Sequence, residues 1–204
     1  MRHLLWALAL AVCASPLWAQ DSATLVADRV EIRGDNVLVA EGEVEILQKG
    51  MTLTASRVTF NAAKDTLSIE GPIVLTDGTG SRTLADQAEL SADLQNGILT
   101  GARLVLAQQL QLAAAEMQRV GGRYTELGRT VASSCQVCAA NPTPIWEIRA
   151  KSVVHDKLEQ QMYFKNAQMR ILGVPVFYIP RLRMPDPGLN RATGFLRPDY
   201  RITN

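Results

Sequence analysis

The side chains best placed to do chemistry are few. Cys135 and Cys138 stand in the spacing Cys-Gln-Val-Cys, and His155 lies beside Asp156. A Cys-x-x-Cys pair admits a redox site, half of a zinc site, or structural disulfides. A thioredoxin-like site sets its cysteines between a strand and a helix, but Asn141-Pro142-Thr143-Pro144 follows here and reads as a loop. A zinc site needs two further ligands, and the only histidines are His3 and His155. A structural disulfide role in an oxidising compartment fits Cys135 and Cys138 best. His155-Asp156 has no serine or cysteine nucleophile in a recognisable setting, so a structural hydrogen bond is expected there rather than acid–base catalysis. The sequence is therefore read as that of a non-enzyme, with no cofactor and no metal.

Charge narrows the partners. The 204 residues carry 21 Lys+Arg against 20 Asp+Glu, a net charge of +1, with no basic stripe. That balance removes the electrostatic reason to expect nucleic acid. Aromatics make up only 5%, and the apolar content is mostly Val, Ile, Leu and Ala, which suits pleated sheets.

The amino terminus reads as an export signal. Met1-Arg2-His3 is a short basic region, Leu4 to Leu17 an apolar run, and Trp18-Ala19 precedes a polar stretch. This is the layout of a cleavable secretory peptide over residues 1–19, too short for a spanning helix. Leu10-Ala11-Val12-Cys13 has the outline of a lipoprotein box, but Val12 is awkward there, so Cys13 is expected to leave with the signal.

Beyond residue 19 the chain repeats. An apolar-x-Ala-x-x-apolar unit occurs at Leu25–Val30 and Leu53–Val58, recurs as Thr83–Ala88, and appears more faintly at Leu112–Met117 and Ile148–Val153. Between its copies a glycine introduces alternating apolar residues, at Gly42–Ile46, Gly71–Leu75 and Gly101–Leu106. The alanines Ala27, Ala55, Ala85 and Ala114 step by 28, 30 and 29 residues. A near-constant step marks a repeat architecture. Alternation such as Val30 and Ile32 against Arg29 and Glu31 indicates strands with one buried and one wet face. Gly34-Asp35-Asn36, Asn61–Asp65, Asp77–Gly80 and Gln95-Asn96-Gly97 supply turns. A strand pair cannot bury its own apolar face, so consecutive pairs must stack into a bent, two-layered, all-β sheet with an apolar seam.

These Ala-Asp-x-Val and Glu-Gly units after a signal peptide resemble the OstA-type domain of lipopolysaccharide transport proteins. The later series also resembles the family: Ser133-Ser134-Cys135, Trp146-Glu147-Ile148, Val154-His155-Asp156, Gly173-Val174-Pro175-Val176-Phe177-Tyr178-Ile179-Pro180 and Thr193-Gly194-Phe195-Leu196-Arg197-Pro198. It looks like the junction of jellyroll and outer-membrane barrel in the assembly members, the organic solvent tolerance proteins.

The resemblance implies a slightly open β-jellyroll, likened to a folded taco, over residues 20–172. It also implies a proline-rich junction and the first strand of a truncated barrel over 173–204. The implied cargo is lipopolysaccharide at the outer membrane, with the domain facing the periplasm. A periplasmic bridge protein would join by strand addition near Leu25 to Ile46, and an outer-membrane lipoprotein would join a complete barrel. In the family a cysteine matching Cys135 pairs with one near the end of the barrel, leaving Cys135 and Cys138 here either free or paired with each other.

The expected lining of a lipid groove is Val30, Ile32, Val44, Ile46, Val58, Phe60, Ile69, Ile73, Leu75, Leu90, Leu104 and Leu106. The same residues make an equally regular closed core, because alternation does not distinguish a lined groove from a sealed one. Pro175, Pro180 and Pro198 are expected to limit strand pairing at the junction, since proline donates no ladder hydrogen bond. Phe177, Tyr178, Phe195 and Tyr200 are candidates for a membrane interface. Three other readings compete with this one: a structural β-solenoid or adhesion module, the soluble bridge protein of the same transport system, and a periplasmic thiol enzyme.

Overall fold

A computed structural model describes residues 23–106, 110–134 and 144–188. Cys13, Cys135, Cys138, Phe195, Pro198, Tyr200 and the proposed signal peptide lie outside the described residues.

The described chain forms twelve strands: β1 (Thr24–Val26), β2 (Arg29–Arg33), β3 (Val37–Gln48), β4 (Met51–Asn61), β5 (Thr66–Thr76), β6 (Arg82–Ser91), β7 (Gly97–Leu106), β8 (Leu110–Val120), β9 (Tyr124–Ser133), β10 (Trp146–Asp156), β11 (Gln161–Ile171) and β12 (Val174–Pro185). From β3 to β12 each strand pairs antiparallel with the next, in one meandering sheet. β1 pairs with Glu45–Leu47 and β2 with Val37–Glu41, both on β3, so together they act as one interrupted edge strand. The expected all-β class, built of repeated strand pairs, is what the chain adopts, and the turn-rich links named above fall between strands.

The repeat unit turns out to be a corner rather than a uniform strand. Strict alternation keeps one parity buried along a whole strand. Here the parity changes midway. In β6, Thr83 and Ala85 are buried, Asp86 and Gln87 both face out, and Ala88 and Leu90 are buried. In β8 the same switch runs Ala114, then Ala115-Glu116, then Met117. β4 turns at Ser56-Arg57 and β10 at Lys151-Ser152. Two successive outward residues reverse the face presented, so each strand bends and its halves serve different layers. The Ala-x-x-apolar repeat is this corner on the even-numbered strands.

The odd-numbered strands turn by other means. Left-handed backbone appears at Gly42 and Glu43 in β3, Gly101 in β7, Arg129 in β9 and Asn166 in β11, and a cis Gly71–Pro72 peptide occupies the same place in β5. The pairing register shifts across Glu41/Val44, Thr54/Arg57 and Glu70/Ile73, the signature of bulges that bend a strand. The corners stack. A Cβ on Gly71 would lie 2.5 Å from the Asp86 carbonyl oxygen, and one on Gly101 would meet the Asp86 carboxylate, so neither corner has room for a side chain. One even and one odd strand together make the step of 28 to 30 residues.

Folded along this column, the sheet encloses a single apolar cluster running from Ala40 and Val44 on β3 to Met162, Phe164 and Ala167 on β11. Leu53, Leu90, Leu99, Leu112, Met117, Leu127 and Val153 are wholly shielded from water. Each such aliphatic side chain contributes about 1.5–3 kcal/mol on burial. That gain offsets the cost of ordering long strands whose outer faces remain wet.

Candidate functional site

The interior is the first candidate site. Of the expected lining residues, Val44, Ile46, Val58, Ile69, Ile73, Leu75, Leu90, Leu104 and Leu106 all belong to the buried cluster. Phe60 is half-buried and packs against its margin. Val30 and Ile32 behave differently, at 48% and 76% exposure. They sit on β2, which pairs only with β3, so no opposite wall covers them. The sequence reading gave all twelve positions one role; an edge strand has the same alternation as an inner one but no partner layer. Among the buried positions the two layers meet side chain to side chain, and water does not reach them. An acyl chain therefore enters only if the layers part.

The second candidate is the mouth, where turns from the two halves of the folded sheet come together. β5 and β10 are not neighbours in the sheet, yet Lys157 Nζ, just after β10, donates to Asp77 Oδ2, just after β5, at 2.7 Å. Asp77 also accepts from the Thr79 and Ser81 amides, both at 3.1 Å, and from the Thr79 hydroxyl at 2.5 Å. Burial raises the Asp77 pKa, but the hydrogen bonds from Lys157 and Thr79 and the charge of Lys157 outweigh it and hold the carboxyl below its ordinary value. Nearby, Arg119 near the end of β8 reaches Met51 at the start of β4, its Nη2 lying 3.9 Å from the Met51 sulfur. These are contacts between halves, not between neighbouring strands, and they close the mouth.

Arg119 is the unexpected residue there. It is only 4% exposed, and its Nε has no hydrogen-bond partner. Burial pushes its pKa down, against the attraction of Asp77 and Asp93. It borders an open recess of about 520 Å³ whose wall also includes Lys49, Met51, Gln95, Gly121, Gly122, Arg123, Lys157 and Leu158. The cations of that wall come from three different turns and from β8, so no local motif announces them. The signal available in the sequence was parity: once the corner at Ala115-Glu116 is allowed for, Met117 and Arg119 share the inward face of β8.

His155 does not pair with its neighbour Asp156. Adjacent strand residues point to opposite faces, and each finds a partner on its own side. His155 Nε2 lies 2.6 Å from Asp186 Oδ2, while Asp156 accepts a two-pronged hydrogen bond from Arg123, at 2.9 and 2.6 Å. The Arg123 hydrogen bonds hold the Asp156 pKa down to about 2, and the His155 hydrogen bond holds Asp186 below its ordinary value. Ser81 and Thr79 share a recess with His155 and Asp186, but His155 Nδ1 has no hydrogen-bond partner. A nucleophile-to-base contact is therefore missing from this grouping. Among the described residues no group of three or more His, Cys, Asp or Glu side chains is placed to hold a metal ion.

At the carboxy-terminal side the sheet runs past residue 172. β12 pairs with β11 along its length, from Ile171↔Val174 to Gln161↔Pro185. Pro175 and Pro180 are tolerated because β12 is an edge strand; Pro180 falls opposite the Asn166 corner, between Lys165↔Arg181 and Ala167↔Ile179, and Pro175 lies where the register shifts between Met169 and Arg170. Phe177 and Tyr178 are 67% and 61% exposed.

No family model matches the chain. Among curated proteins it is 30% identical over 173 residues to the LPS-assembly protein LptD of Nitrosococcus oceani, covering 84% of this chain and 23% of that protein. It is 28% identical over 176 residues to the LptD of Pseudoalteromonas translucida, covering 85% and 22%. The LptD of Neisseria gonorrhoeae is 30% identical over 184 residues. The chain thus spans under a quarter of the length of these relatives. Among solved structures, LptH of Pseudomonas aeruginosa, described as the LptA-homologous periplasmic component of the lipopolysaccharide transport device, matches 48% of this chain and 75% of its own, at 16% identity and a TM-score of 0.44. The resemblance read from the repeats and the later motifs agrees with these comparisons: over most of its own length, the chain is similar to the LPS-assembly proteins LptD.

Proposed function

We propose that this chain is a lipopolysaccharide-handling module that shields acyl chains between the two halves of its folded sheet while the sugars stay in water. The observation that carries this reading is the continuous aliphatic interior from β3 to β11, enclosed by one sheet that, among the described residues, closes on itself through side-chain contacts at its mouth. No backbone ladder has to break for the halves to separate. Covering acyl surface yields about 25 cal/mol per Å², the same driving force that holds the empty interior together, so exchange of core contacts for lipid contacts is nearly balanced.

The reading extends to export through the residue 1–19 signal and to a place at the outer membrane, facing the periplasm. A periplasmic bridge protein would add a strand to the β1–β2 edge, whose exposed Val30 and Ile32 suit an incoming jellyroll. An outer-membrane lipoprotein would join where a barrel is present, and Pro198 with Pro175 and Pro180 would loosen pairing at the junction. Cys135 and Cys138 serve in structural disulfides. The function needs no bond-breaking step, and nothing in it calls for a cofactor.

The test is photo-crosslinking to lipopolysaccharide from inward positions Leu90 and Leu112 against outward neighbours Glu89 and Gln111. Adducts confined to the inward pair support the proposal. Adducts at neither pair, or equally at both, refute it and favour a structural module with a dry core.

A further inference from the structure

Charge in the interior of a sheet made of Leu, Ile, Val and Ala is costly unless it is paired. Arg119 breaks that pattern. It stands on the inward parity of β8, 4% exposed, with a buried Nε that has no hydrogen-bond partner and an Nη2 that lies 3.9 Å from the Met51 sulfur. Its acidic neighbours Asp77 and Asp93 attract it, but their hydrogen bonds go to other groups. Asp77 is engaged by Lys157, Thr79 and Ser81. Asp93 is held by the Ser91 hydroxyl and the Gln95 amide, with Lys49 close enough to lower its pKa further. Arg123 is committed to Asp156. The recess of about 520 Å³ beside Arg119 is walled by Lys49, Arg123 and Lys157 as well, and among the described residues none that lines it is acidic.

We propose that this recess is a phosphate-recognition site, with the Arg119 guanidinium as its principal donor. The proposal rests on the reading of the interior as an acyl-chain path and adds the polar end of the ligand to it. The occupant is a phosphoryl group, carried either on the headgroup of an amphiphile whose tails enter the mouth or as free phosphate. The guanidinium is planar and offers paired donors that match two phosphate oxygens. The flanking cations raise the local concentration of anions without each needing a direct contact. The apolar cluster begins immediately behind Arg119, at Met117, so a headgroup held here points its tails inward.

The experiment uses the full chain and its Arg119→Met variant, which replaces the guanidinium by an apolar side chain reaching about as far as the arginine Nε and so gives up the Nη2 contact with Met51. Three probes are titrated by calorimetry: inorganic phosphate, dodecyl phosphate, and dodecyl maltoside as an uncharged amphiphile with the same tail. The native chain is expected to bind dodecyl phosphate at least tenfold more tightly than R119M does, while dodecyl maltoside binds both alike. Inorganic phosphate should raise the melting temperature of the native chain and not that of R119M. If dodecyl phosphate gains nothing over inorganic phosphate, the site stands with free phosphate as its occupant, and the acyl-path reading is what fails. Equal binding of both phosphates to native chain and R119M overturns the site. R119M removes a buried unpaired donor, so it is expected to fold at least as stably as the native chain, which its melting curve checks directly.

Discussion

Lys157→Met is the perturbation that most directly separates gating from mere stability. The Lys157–Asp77 contact is short, 2.7 Å, and its two side chains are 24% and 13% exposed. It is thus better shielded than an ordinary surface pair, for which the gain is about 0–1 kcal/mol. A hydrogen bond to a charged group contributes about 1.5–3 kcal/mol net. The lower end applies here, because Asp77 keeps its Thr79 and Ser81 donors when Lys157 is lost and is not left unsatisfied. A loss of about 1.5 kcal/mol lowers the melting temperature by about 3–6 °C for a domain of this size. The contact joins the two halves and no neighbouring strands, so the same free energy should appear in mouth opening. That corresponds to a roughly tenfold rise in the open population. Stopped-flow uptake of a fluorescent fatty-acyl probe, under conditions where opening limits the rate, reads this directly. A melting temperature that falls as expected with an unchanged uptake rate would falsify the reasoning, since the ion pair would then stabilise the fold without controlling access.

Three further outcomes follow from named residues. Leu112→Ala should cost about 2–5 kcal/mol in urea denaturation, because Leu112 is fully shielded and its removal leaves a cavity between the layers. Gly71→Ala should destabilise by at least about 1 kcal/mol, since its Cβ would lie 2.5 Å from the Asp86 carbonyl oxygen, whereas Gly128→Ala, whose nearest atom is 3.8 Å away, should be close to neutral. Folding lowers the Asp156 pKa from 3.8 to about 2. The stability that Arg123 confers through it is therefore complete above about pH 4 and fades as pH falls towards 2. Asp156→Asn should lose stability at neutral pH and show a shallower acid limb, and an acid limb identical to that of the native chain would count against the Arg123–Asp156 contact.

The sequence carried the architecture because strands, turns and repeats are local signals. The turns at Gly34-Asp35-Asn36 and Asp77–Gly80 fall where their residue types place them, and the constant step of the alanines marks the two-strand unit. What alternation concealed was the corner. A reading with period two counts Ala55 and Val58 as a break in the pattern, whereas two outward residues between them are what bends the strand. The inward residues were legible for the same local reason, and Val30 and Ile32 were not distinguished from them because coverage depends on having a second layer. The mouth was the least legible part. Met51 and Arg119 are 68 positions apart, Asp77 and Lys157 are 80 apart, and each pair meets only because the sheet folds back on itself. His155 gives the same lesson on a smaller scale, choosing Asp186 over its sequence neighbour because successive strand residues face opposite ways.

The claim underlying the whole account is that the two halves of the sheet part at the mouth to admit acyl chains. Its most direct measurement joins the halves there. With Cys135 and Cys138 replaced by Ser, Asp77→Cys and Lys157→Cys are bridged by a reducible bis-maleimide, and capture of the fluorescent acyl probe is recorded before bridging, after it, and after reduction of the linker. The account predicts at least a tenfold fall on bridging and full recovery on reduction; capture that is indifferent to the bridge would contradict it.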